Sequence, residues 1–179
     1  MNNKIVQYCL AAGLMMASGF SLADDTFVQQ AKTAIAKATA PVTAWDGPTQ
    51  GPTLQPGKKI IFIASDMKNG GVLGVKEGLE EAAKAAGWQL DVLDGAGSVK
   101  DQLAALNQAI ARKPDGIVIG GWNPNVAKIP LKKATDQGIT LVGWHAVPQP
   151  GPAPEYNMYF NVGSDANEVS KVAAMYAVA

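Results

Sequence analysis

One cysteine and one histidine stand among 179 residues, and these two scarcities exclude a broad range of chemistry. Cys9 lies in the leader-like first stretch, so the rest of the chain has no disulfide, no thiol nucleophile and no thiolate metal site. A single histidine, His145, cannot build a His-based metal cluster. A serine hydrolase triad would need Ser65 or Ser164 as nucleophile, and neither sits in a G-x-S-x-G elbow. No pair of carboxylates is spaced for glycosidase work. An excess of one charge is missing too: 15 basic residues face 15 acidic ones, which leaves no basic footprint for nucleic acid. Neither metal nor cofactor is expected, and the chain does not read as an enzyme.

A long apolar span is also lacking. Lys4 precedes an uncharged, mainly apolar run over 5–20, shorter than the roughly 20 apolar residues of a membrane helix. Ser21-Leu22-Ala23 then places small residues where a signal peptidase reads, just before Asp24-Asp25. The expectation is a cleaved signal peptide over 1–23 and export to the periplasm; a retained anchor is the alternative. Removing Lys4 with the leader leaves 14 basic against 15 acidic residues, one net negative charge. About 155 residues then remain, enough for one core.

What is present is a rhythm of apolar runs and amphipathic stretches. Phe27, Val28, Ala31, Ala34, Ile35 and Ala38 recur at helical spacing, which predicts a short helix over 26–39. Pro, Gly, Thr and Gln then dominate 41–57 around Trp45, an irregular linker in which Trp45 packs rather than binds. Residues 58–64 form a continuous apolar strand of the kind buried on both faces of a parallel sheet. Val72, Val75, Leu79, Ala82, Ala83 and Ala86 mark a helix that Gly87 stops, and 88–93 is a second strand. Ser98 with Asp101 opens another helix, whose inward stripe reads Val99, Leu103, Leu106 and Ile110. A third strand covers 117–119. The next helix turns Ile129, Leu131 and Ala134 inward and ends at Gly138, with Pro130 tolerable only in its first turn. A fourth strand follows to 142 or 143, then a Pro-rich loop over 147–154 and a fifth strand over 156–162.

Strand-helix alternation at this pace implies right-handed crossovers and an α/β fold: a doubly wound parallel sheet in three layers, in the order 2-1-3-4-5. In such sheets the ligand crevice lies beyond the carboxyl ends of the strands. Polar and aromatic residues crowd those exits: Asp66 with Asn69, Trp122 with Asn123, and Trp144 with His145. The loop 65–71 brings Gly70 and its neighbours' amides to a helix N-terminus. Asp66 and Asn69 suit adjacent hydroxyls; alternatively Asn69 caps the helix and Asp66 is a solvated acid. Each indole offers a flat apolar face and one donor, against core packing as the plain alternative. Asn123 is a bidentate partner or a cap ahead of Pro124. His145 is a ligand donor or a brace for the Pro-rich loop. A dinucleotide loop at Gly70-Gly71 and Gly74, with Asp94 as the ribose acid, fails because Asn69 stands where its first Gly is needed.

Two further segments carry a resemblance. The helix contains Lys76-Glu77-Gly78-Leu79-Glu80-Glu81-Ala82, and the approach to the third strand reads Ala109-Ile110-Ala111-Arg112-Lys113-Pro114-Asp115-Gly116-Ile117. In this order the pattern resembles periplasmic sugar-binding proteins of the ribose and galactose type, the substrate-binding components of ABC importers, related to LacI-type repressor cores. The similarity covers about 58–170. It implies two lobes joined by a hinge, whose closure on a small polar ligand signals to a membrane permease, and a monomer. It implies that Asn69 matches a polar ligand residue, whereas Gly71 and Val72 stand where ring-stacking aromatics are usual. Gly120-Gly121 replaces the usual Asn-Pro, and His145-Ala146 replaces the Asp-Arg pair that grips sugar hydroxyls. A modified sugar, polyol or flat non-sugar compound is therefore as open as a pentose or hexose.

The organisation expected is a leader (1–23), a helix and linker (24–57), a first α/β lobe (58–163), and a hinge with the first helix of a second lobe (164–179). Ser164-Asp165-Ala166-Asn167-Glu168 opens that helix, which reaches Ala179 with no Gly, Lys or Arg to close it. The sequence thus reads as the front of a longer protein, with Asp165 at the hinge as a further ligand contact. The leading reading is a solute-binding component of an importer. The alternatives are an exported oxidoreductase or hydrolase on a similar sheet, or the sensing domain of a receptor; a repressor would need a helix-turn-helix where the leader stands.

Overall fold

The computed structural model describes residues 25–45 and 47–179, so the expected leader lies outside the described residues. The described residues divide into two compact units, one within 47–166 and the other formed by 25–45 and 167–179. The outer unit holds two helices, α1 (Asp25–Ala38), in which Ala31 is buried, and α5 (Ala166–Val178). No described helix is long and apolar enough to cross a membrane.

The inner unit is built on β1 (Lys59–Ala64), α2 (Gly70–Ala86), β2 (Gln89–Asp94), α3 (Val99–Ala111), β3 (Gly116–Gly120), α4 (Lys128–Asp136), β4 (Thr140–Trp144), β5 (Gly151–Ala153) and β6 (Met158–Val162). The sheet order is β2-β1-β3-β4-β6-β5. All pairs are parallel except β5 with β6. The expected order of five strands is therefore present, with β6 as its fifth member. The difference is β5, three residues of the Pro-rich loop that pair antiparallel at the edge, where Pro152 is tolerated because no inner ladder needs its missing N–H.

Period-two alternation sorts the strand residues between two layers. Ile61, Ile63, Ile117, Ile119 and Leu141 point to one face, where Leu106, Ala109 and Ile110 of α3 and Leu131 and Ala134 of α4 cover them. Phe62 and Ala64 point to the other face, with Val72, Val75 and Leu79 of α2 packed there. On this second side an apolar groove of about 610 Å³ runs beside α2, with Ile60, Leu90, Val118 and Val142 among its lining. The linker borders it. Trp88 Nε1 donates to Gln55 O at 2.7 Å, Gly57 N to Gly87 O at 2.9 Å, and Leu54 joins the lining.

Local signals in the sequence set the helix ends. Asn69 caps α2 through its Oδ1, and Gly87 closes it at φ 67°, the left-handed conformation that only glycine adopts without strain. Ser98 caps α3: its Oγ accepts from Asp101 N at 3.1 Å and donates to Asp101 Oδ2 at 2.6 Å. Two expected stripes are met except for one residue in each. The buried residues of α3 are Gln102, Ala105, Leu106, Ala109 and Ile110, while Val99 is exposed. In α4 Ile129 is 85% exposed, and Pro130 does fall in the first turn.

Candidate functional site

Every parallel strand of the sheet delivers a loop to the same crest at its carboxyl end. After β1 comes Ser65-Asp66-Met67-Lys68-Asn69. Asp66 Oδ1 accepts from Lys68 N at 2.8 Å, and Asn69 Oδ1 accepts from Gly71 N at 2.8 Å and Val72 N at 3.3 Å. Both side chains therefore shape their own loop with one oxygen. The Nδ2 of Asn69 is not part of that cap, and Asn69 and Gly70 are exposed at the helix N-terminus. After β2, Asp94 braces the neighbouring loop, accepting from Met67 N at 3.1 Å and from Ala96 N at 2.8 Å through Oδ1.

The two tryptophans that follow strands occupy opposite environments. Trp122 is 4% exposed within the main core, and its Nε1 donates to Ile63 O at 3.1 Å. It packs as a strut under the crest, so its indole face and donor are both engaged. Asn123, exposed beside it, caps the 3-10 turn Pro124–Ala127 by accepting from Asn125 N at 3.0 Å. Trp144 is half-buried, and its Cζ3 lies close over Gly121, where a Cβ would come within 3.1 Å. Gly121 has φ 77° and donates its N–H to Trp144 O at 2.8 Å. Glycine at that position leaves room for the indole at the end of β3.

His145 is exposed and meets Trp144 edge to face, with ring centroids 5.1 Å apart and an interplanar angle of 76°. Its backbone has φ 46°, a left-handed conformation that costs a side-chain-bearing residue about 1–2 kcal/mol. The strain is held by His145 N donating to Val162 O at 2.8 Å. The ring lies beside Gly163, where an added Cβ would touch Nδ1 at 3.5 Å. Asp165 follows two residues later, half-buried at the exit of β6.

Below His145 lies a residue that the sequence reading missed, Asn161, 0% exposed in β6. Its Oδ1 accepts from Ala146 N at 3.0 Å, and its Nδ2 donates to Val147 O at 3.1 Å and Gln149 O at 2.8 Å. A lone Asn in the otherwise apolar run Met158–Val162 was the available signal. Asp94 could have been found from the Asx-turn pattern of Asp94-Gly95-Ala96-Gly97.

The crest thus brings together Asp66, Asn69, Gly70, Asn123, Trp144, His145 and Asp165, with Trp122 beneath. Among the described residues no group of three His, Cys, Asp or Glu is placed to hold a metal ion. The large apolar groove lies elsewhere. Lys58, Gly116 and Thr140 in its lining mark the amino ends of the strands, so it is remote from the polar crest and has few groups to orient a polar ligand.

An open doubly wound sheet with a half-buried indole and exposed amide side chains at its carboxyl edge defines an α/β ligand-binding lobe. The chain belongs to the periplasmic binding protein domain family, whose model matches residues 60–179. The family and the structural neighbours are solute-binding proteins rather than enzymes. Among solved structures the chain is similar to GanP, a glucose-galactose binding protein from Geobacillus stearothermophilus, at 22% identity and TM-score 0.60, covering 69% of this chain and 42% of that one. It is similar to the XylFII-LytSN complex at 25% identity and TM-score 0.60, covering 69% and 44%. A third likeness is to the periplasmic component of the arabinose ABC transporter from Shewanella sp. ANA-3, at 21% identity and TM-score 0.50, covering 60% and 35%. The chain therefore spans less than half the length of these structures. No curated protein matches it.

Proposed function

We propose that this chain is the first lobe of a periplasmic solute-binding component of an ABC importer, which holds a sugar-like polar ligand without transforming it and presents it to a membrane permease. The observation that carries the reading is the crest itself. Trp144 offers a partly exposed indole, suited to the apolar face of a ring. Around it His145, Asn69, Asn123, Asp66 and Asp165 supply polar atoms, and the Gly70 amide stands at a helix N-terminus. Membership of the family and the sugar-binding descriptions of its structural neighbours support the ligand class. The leader-like residues 1–23 support export, and the absence of the usual first-loop aromatics leaves Trp144 as the stacking surface.

The test is a thermal-shift screen of the full-length protein, purified from the periplasm with Asp24 as its first residue, against D-glucose, D-galactose, L-arabinose, polyols and aromatic acids. A true ligand at about 100 times its Kd stabilises by about 2.7 kcal/mol, a shift of several degrees. Trp144→Ala and His145→Ala should each remove most of that shift. A ligand whose stabilisation survives both substitutions would place the binding surface away from this crest.

A further inference from the structure

We propose that Asn161, buried beneath the crest and outside any ligand contact, is a positioning residue that sets how Trp144 and His145 are presented. The inference rests on the reading of the crest as the binding surface and extends it to the residue that builds it. An Asn side chain carries two N–H donors and one carbonyl acceptor. In Asn161 both donors and the oxygen are engaged, and all three partners are backbone groups of the single segment 146–149. No sheet ladder serves that segment: β4 ends at Trp144 and β5 begins only at Gly151. One carboxamide therefore stands in for a strand along the first residues after β4.

Two neighbouring features fit this role. His145 holds φ 46° between its own N–H bond to Val162 O and the Ala146 N–H bond to Asn161. The two bonds fix both sides of the strained residue, so the imidazole is held beside Gly163 and against the edge of Trp144. Gly143 on the adjacent strand makes room for the amide, because a Cβ there would lie 2.6 Å from Asn161 Oδ1 and 3.0 Å from Ala146 Cβ. Glycine before Trp144 is thus a consequence of the buried amide opposite it in register. A residue that only filled the core would not need both amide groups pointed at one loop.

His145 is the only histidine among residues 1–179, so the ring resonances that disappear in His145→Ala identify its own, and these report the crest without any ligand. In Asn161→Asp the oxygen still accepts from Ala146 N but two carbonyls lose their donor; in Asn161→Ser all three bonds are lost. For the folded variants of the full-length protein, the His145 ring resonances should move toward random-coil positions as the Trp144 contact loosens. The Ala146 amide should lose its exchange protection in Asn161→Ser and keep it in Asn161→Asp, while the α3 and α4 amides keep theirs in both. Affinity for whichever of D-glucose, D-galactose or L-arabinose the native protein binds should fall roughly tenfold or more per folded molecule, equivalent to about 1.4 kcal/mol. Unchanged His145 resonances and sugar affinity in folded variants would overturn the proposal. If neither variant folds, hydrogen exchange in the native protein decides: an Ala146 amide that exchanges as fast as an open loop overturns it, and one protected like the His145 amide supports it. Should no sugar bind the native protein while the His145 signals still move, the positioning role stands and the sugar-binding reading falls.

Discussion

Two tryptophans follow a glycine at the end of neighbouring strands, yet one is core and the other is surface. The reason is backbone geometry that a residue pattern does not encode. Gly121 at φ 77° redirects the chain so that Trp122 turns back to Ile63 O, whereas Trp144 continues β4 and stays on the α2 side in register with Gly120. The consequence is separable. Trp122→Ala removes a large buried ring with its hydrogen bond and should cost about 3–5 kcal/mol in denaturant unfolding. Trp144→Ala uncovers a half-buried ring and should cost only about 1–2 kcal/mol, while removing the stacking surface from the ligand. Equal losses of stability would mean that both indoles are structural. At the same scale, the caps made by Asn69 and Asn123 leave each amide nitrogen outside the cap. Each uses its oxygen on the backbone, and an amide has a second end.

Element by element, the strands and the helix stops were legible because they rest on local chemistry: β-branched runs, Asn69 and Ser98 at N-caps, and Gly87 at a left-handed C-terminus. The inward faces of α3 and α4 were less so. Of the stripe Val99, Leu103, Leu106 and Ile110, the last three do pack on the core, where Ala105 and Ala109 join them, and Val99 at the first position of the helix is exposed. In α4 the buried set is Leu131 and Ala134. Ile129 stands two residues from Leu131, about 200° around a helix of 3.6 residues per turn, and is left in solvent. At the opposite end of the sheet Asp115 ties the elements together. Its carboxylate accepts from Lys59 N at 2.8 Å and Lys58 Nζ at 2.9 Å, and its carbonyl accepts from Thr140 N at 3.0 Å. The Lys59 backbone bond first, then the Lys58 ammonium, hold its pKa below the ordinary 3.8. Because the folded value is the lower one, its contribution is complete above 3.8 and is lost as pH falls through the depressed folded value. Asp115→Asn should therefore flatten the acid limb of stability against pH without changing its shape near neutrality, as urea midpoints on both sides of 3.8 would show. An acid limb identical to that of the native protein would mean that the clip contributes nothing.

For the whole molecule, the order of the sheet and the location of a crest followed from the alternation of strands and helices, because handedness leaves few ways to wind such a chain. What did not follow was the depth of each crest residue or the buried amide beneath it, since both depend on which strands become neighbours in space. The geometry also limits what one lobe can do alone. Polar groups of the crest lie on one side of an open surface, and several are half-buried or fully exposed. A ligand resting there keeps water on its other side and exchanges only part of its hydrogen bonds for protein ones. The chain spans 42% of GanP and 44% of the XylFII chain, and under the proposed function the remaining contacts come from a second lobe that encloses the solute. Residues 24–179 should then bind a sugar at least about a hundredfold more weakly than the full-length protein, a difference of about 2.7 kcal/mol. Calorimetric titration of both with the same sugar measures it directly. Equal affinities would show that this lobe is a complete binding domain, and that closure of two lobes is not how the protein holds its ligand.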